Sequence, residues 1–351
     1  MQPTSLTTYS LNPEAFCLLM PILSRLTPVR LAFILLAIVG LAACQNGAGE
    51  SRESIRIGME STAVNSLIFI AEDQKYFDAN KLDVTFVEYP SGLAAVEGMI
   101  NGEVDLATAS EFVIVGKALS HESIQTIATI DKFLHNYLIG RKDLGISTLA
   151  DLPGKRIGLP LKTAAEFYLG RFLDLNGMNI RQVTLVDVSP PDIMTALTNG
   201  EVDAVLAWQP NAKKLEDLLG DGIVRWPAQS EQVTYCSIIG AQAWIDSHSE
   251  AVERFLKSLA DAQDYLNRRP EDGRAIIQKR LKYDDAYLAA IWPEHNLQLS
   301  LDQSLILALE DESRWMIANG LTTETQVPDF LDYISTGALH EVKPEAVNII
   351  R

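Results

Sequence analysis

Cysteine is scarce in this chain. Its three residues, Cys17, Cys44 and Cys236, are spread over 351 positions, and no CxxC or comparable spacing links them, so neither a disulfide framework nor a zinc site is expected. Positive charge is also in deficit. Against 46 Asp and Glu stand 29 Lys and Arg, a formal charge of −17, and no local basic stripe breaks the imbalance. Such a chain repels polyanions, and nucleic acid is not an expected partner. The five histidines, His121, His135, His248, His295 and His340, have no HExxH spacing, and neither a GxSxG elbow nor a Gly-rich phosphate loop is present. No metal, cofactor or catalytic residue is therefore assigned. Of the five, His135 alone stays of interest. Long apolar runs are missing too: Leu31 to Ala43 reaches 13 residues, short of the about 20 that span a bilayer.

What remains is ordinary globular material. The chain is 47% hydrophobic and 21% charged, with 15 Pro and 21 Gly scattered along it, and its length suits two domains. The short apolar run follows Arg25 and Arg30 and ends in small residues, which is the pattern of a secretory leader. Its end, Leu41-Ala42-Ala43-Cys44, resembles the bacterial lipobox, where the cysteine becomes the lipid-bearing first residue. Residues 1–43 are accordingly expected to be a signal peptide, Cys44 the lipidation site, and 44–54 a polar tether. Some thirty residues precede the apolar run, more than leaders carry, which points to translation starting at Met20. Cys236, left without a partner, reads as a small core hydrophobe.

The body alternates strands and helices, the signature of sheets covered by helices. One phrase recurs. Arg56-Ile57-Gly58 precedes Asn101-Gly102-Glu103-Val104-Asp105 by 45 positions, and Arg156-Ile157-Gly158 precedes Asn199-Gly200-Glu201-Val202-Asp203 by 43. In each copy Asn-Gly closes a helix, since glycine takes the left-handed conformation cheaply. Two similar α/β lobes are expected, monomeric, with loop rims facing one cleft. Ligands of open α/β sheets settle beyond strand carboxyl ends, at helix N-termini. The candidate binding residues are thus Glu60, Ser61 and Thr62, Ser91, then Ser110 and Glu111 in the first lobe. In the second they are Lys162, Thr163 and Ala164, then Trp208 and Gln209. Thr163 with Glu166 reads as a capping box, Ser189 with Pro190 as a helix start, and Ser300 with Gln303 as another box.

The lipobox, RIGMES, YPSG, NGEVDLATASE, ADLPGKRIGLP, NGEVDAVLAWQP and LDQSLILALEDESRWM, in that order, resemble substrate-binding proteins of bacterial ABC importers. The branch is the one serving nitrate, taurine, aliphatic sulfonates and thiamine-pyrimidine precursors. The resemblance implies a type II periplasmic-binding-protein fold: two α/β lobes joined by a two-strand hinge, with a helical C-terminal segment. It implies lobe 1 at 55–139 plus 238–351 and lobe 2 at 140–237, with crossings near Leu138 to Arg141 and Thr234 to Gly240. It further implies an exported, membrane-anchored protein that closes on a small organic solute and hands it to permease subunits. The chain departs from many relatives at Trp208-Gln209-Pro210, which lacks their acidic residue, and at Glu111, whose carboxylate would repel an oxyanion. A flat, donor-bearing solute would suit Trp208 and Glu111 together. The alternatives are a ligand sensor for a signalling partner and an enzyme on the same fold.

Overall fold

The computed structural model describes residues 52–229 and 232–350. The segment expected as a leader, Cys44 and most of the segment expected as a tether lie outside the described residues. Glu53 and Ser54, expected in the tether, instead pair with Leu82 and Asp83. They belong to β1 (Glu53–Met59), where buried Ile55 and Ile57 alternate with exposed Ser54 and Arg56, the period of a pleated strand.

The first lobe continues through α1 (Ser66–Asp73), β2 (Leu82–Glu88), α2 (Gly92–Ile100), β3 (Leu106–Ser110), α3 (Glu111–Leu119) and β4 (Ile124–Phe133). The chain then crosses to β5 (Asn136–Arg141), β6 (Arg156–Leu159), α4 (Ala164–Leu175), β7 (Thr184–Asp187), α5 (Ile193–Thr198), β8 (Ala204–Trp208), α6 (Asn211–Leu219) and β9 (Ile223–Pro227). It returns as β10 (Thr234–Ala241), followed by α7 (Ser249–Arg268), α8 (Pro270–Leu281), β11 (His295–Asn296) and α9 (Gln303–Asn319).

The strands form two sheets, ordered β11-β4-β10-β3-β1-β2 and β7-β6-β8-β5-β9. Each contains a parallel trio with the same order, β2-β1-β3 and β7-β6-β8. The strand beside each trio, β10 or β5, runs antiparallel because it arrives from the other lobe. The crossings lie elsewhere than the sequence suggests. The sheets divide at Leu134–His135 and between Pro227 and Thr234, so residues 136–139 sit in the second lobe and 234–237 in the first. Apolar runs look alike in either sheet. Pairing decides: Asn136 lies opposite Trp208, and Thr234 opposite Phe133.

The repeated phrase does more than end helices. Gly102 and Gly200 do adopt φ of 76° and 74°. In addition, Asp105 accepts from the Arg56 amide at 2.7 Å and from its Nη2 at 2.7 Å. Asp203 takes the same two bonds from Arg156, at 2.8 and 2.7 Å. Each clasp ties the first strand of a trio to the third. Gly102 offers a clean measure of backbone cost, since a Cβ there would meet nothing within 4 Å. Gly102→Ala should lower unfolding free energy by about 1–2 kcal/mol, read as a shifted urea midpoint with unchanged slope.

Two expected helix starts move. The helix after Ser189 begins at Ile193 with Asp192 at its cap, and the Ser189 hydroxyl instead donates to Asp192. Likewise α9 is capped at Asp302, and its first amide, on Gln303, donates to Asn348. Ser300 is buried and pairs its backbone with Thr129. The stripe Leu301, Leu305, Leu309, Trp315 and Met316 is buried, as core. In the second lobe Val205 and Ala207 face α5 and α6, while Ala204 and Leu206 face α4, so one strand feeds two cores.

The lobes touch. From α4, Phe167 stands edge-on to Trp315 of α9 at 5.5 Å between centroids, and Phe112 of α3 completes the trio. Gly170 passes beneath the indole, where an added Cβ would lie 2.2 Å from the ring.

Candidate functional site

The strand ends of both lobes meet around a cavity of about 60 Å³, room for on the order of five water-sized groups. Glu60 and Thr62 reach it from the end of β1, Ser91 and Gly92 from the start of α2, and Ser110 from the end of β3. Across the gap stand Thr163, Ala164 and Ala165, which open α4, and Trp208, the last residue of β8. The hinge side is closed by Phe133, His135, Asn136, Thr234 and Cys236. Ser110 and Thr163 thus face one crevice.

Seven expected residues line this cavity: Glu60, Thr62, Ser91, Ser110, Thr163, Ala164 and Trp208. Four do not. Ser61 is exposed, and Lys162 is exposed in a left-handed turn with φ of 61°. Gln209 is buried and accepts from the Lys213 amide, packing inside its own lobe. Glu111 is fully buried below the cleft and takes the Tyr235 amide at 2.9 Å. As the first residue of α3 it turns inward, toward α9, while Ser110 before it faces the cavity.

Helix starts supply most of the polar surface. The Ser91 hydroxyl accepts from the Ala94 amide, so α2 is capped. Neither α3 nor α4 has a side-chain cap. Because Lys162 is left-handed, its own amide, not that of Thr163, meets Glu166 at 2.8 Å. The expected capping box is therefore not formed, and the Thr163 hydroxyl donates to the Pro160 carbonyl. Ser110 and Val113 at the start of α3, and Thr163, Ala164 and Ala165 at the start of α4, line the gap, so it sees the positive ends of two helix dipoles.

The charges are few. None of the lining residues is Lys or Arg. Glu60 is the acid of the cavity: burial pushes its carboxyl up to about 7, against the Trp208 indole N–H and the Gly92 amide that donate to it. Burial and nearby His295 hold His135 well below the usual imidazole range, so its ring is neutral. Its Nδ1 is buried with no protein partner. Burial, then Asp131, Glu60 and Glu111, push the Cys236 thiol well above its ordinary value, which keeps it protonated.

One residue at the hinge carries no sequence signal at all. The Gln229 side-chain oxygen accepts from the His135 amide at 2.6 Å, the Asn136 amide at 2.8 Å and the Asn136 side chain at 2.9 Å. Its nitrogen donates to the Phe133 carbonyl, the Gln232 carbonyl and the Thr234 hydroxyl. A single amide stitches both crossings together. In sequence Gln229 looks like any solvated loop residue.

A family description reading "NMT1/THI5 like" matches residues 64–273. The taurine-binding periplasmic protein of Escherichia coli K12 is 27% identical over 197 residues, covering 54% of this chain and 60% of that protein. Among solved structures, the alkanesulfonate-binding protein of Xanthomonas axonopodis pv. citri bound to MOPS superposes with a TM-score of 0.71 at 18% identity, covering 82% of this chain and 100% of that one. The desulfurization enzyme DSZB also superposes, with a TM-score of 0.61 at 15% identity over 83% of this chain and 99% of its own. These likenesses are of fold, and the two-lobed periplasmic-binding-protein architecture is common to them and to this chain.

Proposed function

We propose, because the chain belongs to the NMT1/THI5-like family, that it is an exported solute-binding protein that captures a small organic solute between its lobes and delivers it to an ABC permease. The observation that carries this reading is the shared cavity, to which both lobes contribute strand ends and helix N-termini. The N-terminal ends of α3 and α4, which line the cavity, suit an oxyanion. Glu60 suits a hydrogen-bond donor at the solute's other end, and Trp208 a flat or cationic face. Glu111, turned away into the protein, presents no carboxylate to repel the anion. An amino- or alkylsulfonate meets these demands, in keeping with the names of the relatives. Binding without chemistry is favoured over an enzymatic role, because the one thiol on the cavity is held protonated and the thiolate is the reactive form. Lipidation at Cys44 would tether the protein to the membrane as a monomer.

The test is calorimetric titration of the intact protein with taurine, ethanesulfonate, nitrate, pyrimidines and amino acids. A dissociation constant near 1 μM, about −8 kcal/mol, is expected for the cognate class. Solute at a hundred times that constant should add about 2.7 kcal/mol of stability. Trp208→Ala should weaken binding at least tenfold. An unchanged isotherm would remove the indole from the site, and silence across the whole panel would remove the receptor reading.

A further inference from the structure

Two carboxyl groups lie side by side in the seam between the lobes, outside the cavity and with no role in it. Glu111 opens α3 and Glu312 sits midway along α9, both fully buried. Their helices pack together, with Phe112 against Trp315 one turn away, and the two carboxyls are close enough to perturb each other. Two charged carboxylates held this close and out of water repel, and a proton on one of them removes the repulsion. The hydrogen-bond partners say which. Glu111 accepts from the Tyr235 amide at 2.9 Å and from the Tyr168 hydroxyl at 3.3 Å. Neither Glu312 oxygen has a hydrogen-bond donor. Glu312 is therefore the acid and Glu111 the carboxylate.

Tyr168 belongs to α4, so the bond to Glu111 spans the two lobes. It ends an ordered chain that starts at the hinge: Gln229 Nε2 donates to Thr234 Oγ1 at 2.9 Å, Thr234 to the Tyr168 oxygen at 3.0 Å, and Tyr168 to Glu111. The ionisable groups facing the pair are Tyr168 from α4, Tyr235 and Cys236 from β10, and Asp311 on α9 itself. Each is neutral or negative at neutral pH, and none favours a second carboxylate.

We propose that Glu111 and Glu312 share one proton while the lobes are together, so that closing on solute takes up a proton from solution. Parting the lobes withdraws Tyr168 and the Phe167–Trp315 contact, lets water reach the pair, and allows both groups to ionise. Burial pushes Glu111 up to about 7 and Glu312 well above the usual carboxylate range. A raised value in the closed state means closure is favoured at low pH, and that the advantage is lost progressively as pH climbs from the ordinary carboxylate range toward the raised value of Glu312. Affinity should fall by up to about tenfold per pH unit for one linked proton.

The inference rests on the reading of the cleft as a site that closes on solute, and the experiment separates the two. Titrating the intact protein with taurine or ethanesulfonate in buffers of different ionisation enthalpy should show uptake of about one proton near pH 7. Glu312→Gln stays neutral beside Glu111 but has no proton to exchange. It should bind within about threefold of the unaltered protein near pH 4, where an exposed glutamate is already largely protonated, and lose both the uptake and the fall in affinity toward pH 8. Glu60 titrates in the same range but is present in both proteins, so the difference isolates the pair. Equal uptake in the two proteins overturns the proposal. If neither sulfonate binds, the receptor reading fails, while unfolding free energy without solute still decides on the pair: its decline from about pH 5 to 8 should be shallower in Glu312→Gln, and parallel slopes overturn it. Should the variant not fold, infrared titration of the unaltered protein must show a buried protonated carboxyl near pH 8; its absence is equally fatal.

Discussion

Replacing Gln229 with leucine should lower unfolding free energy by about 3–5 kcal/mol, the largest loss expected of any single polar side chain here. Leucine fills similar space but bonds nothing. The His135 and Asn136 amides and the Phe133 carbonyl then lose a partner at buried positions, and each such orphan costs about 1–3 kcal/mol. Water from the cleft can reach some of them, which is why the estimate is less than the sum. Denaturant unfolding measures it. Gln229→Glu should recover part of the loss, because the oxygen that takes three donors survives while the donating nitrogen does not. A loss under about 1 kcal/mol for the leucine variant would show that the crossings hold without the amide.

Gly170→Ala should weaken solute binding about thirty- to a hundredfold while leaving each lobe folded. In an isolated helix alanine is preferred over glycine by about 1 kcal/mol, so stability without solute should hold or rise. The cost arises only when the lobes meet, where the new Cβ would sit 2.2 Å from the Trp315 ring. Forcing a methyl group against a packed ring costs about 2–3 kcal/mol, equivalent to that loss of affinity. Small-angle scattering should show the variant more extended than the unaltered protein. Trp315→Leu, introduced with it, should restore much of the binding, and the coupling is read from a double-mutant cycle. Independent losses would mean that the seam is not the closing surface.

The architecture was legible because two physical signals agree along the chain. Hydropathy alternates in β1, and the twin glycines of the NGEVD phrases end their helices where left-handed conformation is needed. The loops reaching the cavity follow from the rule that ligands lie beyond strand ends, which placed Glu60, Ser91, Ser110, Thr163 and Trp208 correctly on its rim. Side-chain direction was not legible. Ser110 and Glu111 are neighbours, yet one faces the cavity and the other the seam, because the helix begins between them. The cap at Thr163 depended on the backbone of Lys162, whose left-handed turn nothing in its chemistry announces. The crossings were misplaced by a few residues because an apolar strand serves either sheet equally well. Gln229 and Glu312 were invisible for a related reason: their partners lie far off in sequence, and polar residues in loops and on helices normally face water.

Strand β10 lies between β4 and β3, in the middle of the first sheet, although the whole second lobe separates it from them in the chain. That gap has a consequence for assembly. Residues 136–227 supply every strand of their sheet and can pair as soon as they leave the ribosome or an export channel. The earlier-made segment must wait with a slot open between β3 and β4 until the later one threads it, and sequence-distant pairing of this kind is slow. The half of the molecule synthesised first is thus the last to be completed, and the unfilled slot is where a holding chaperone would find exposed strand edges.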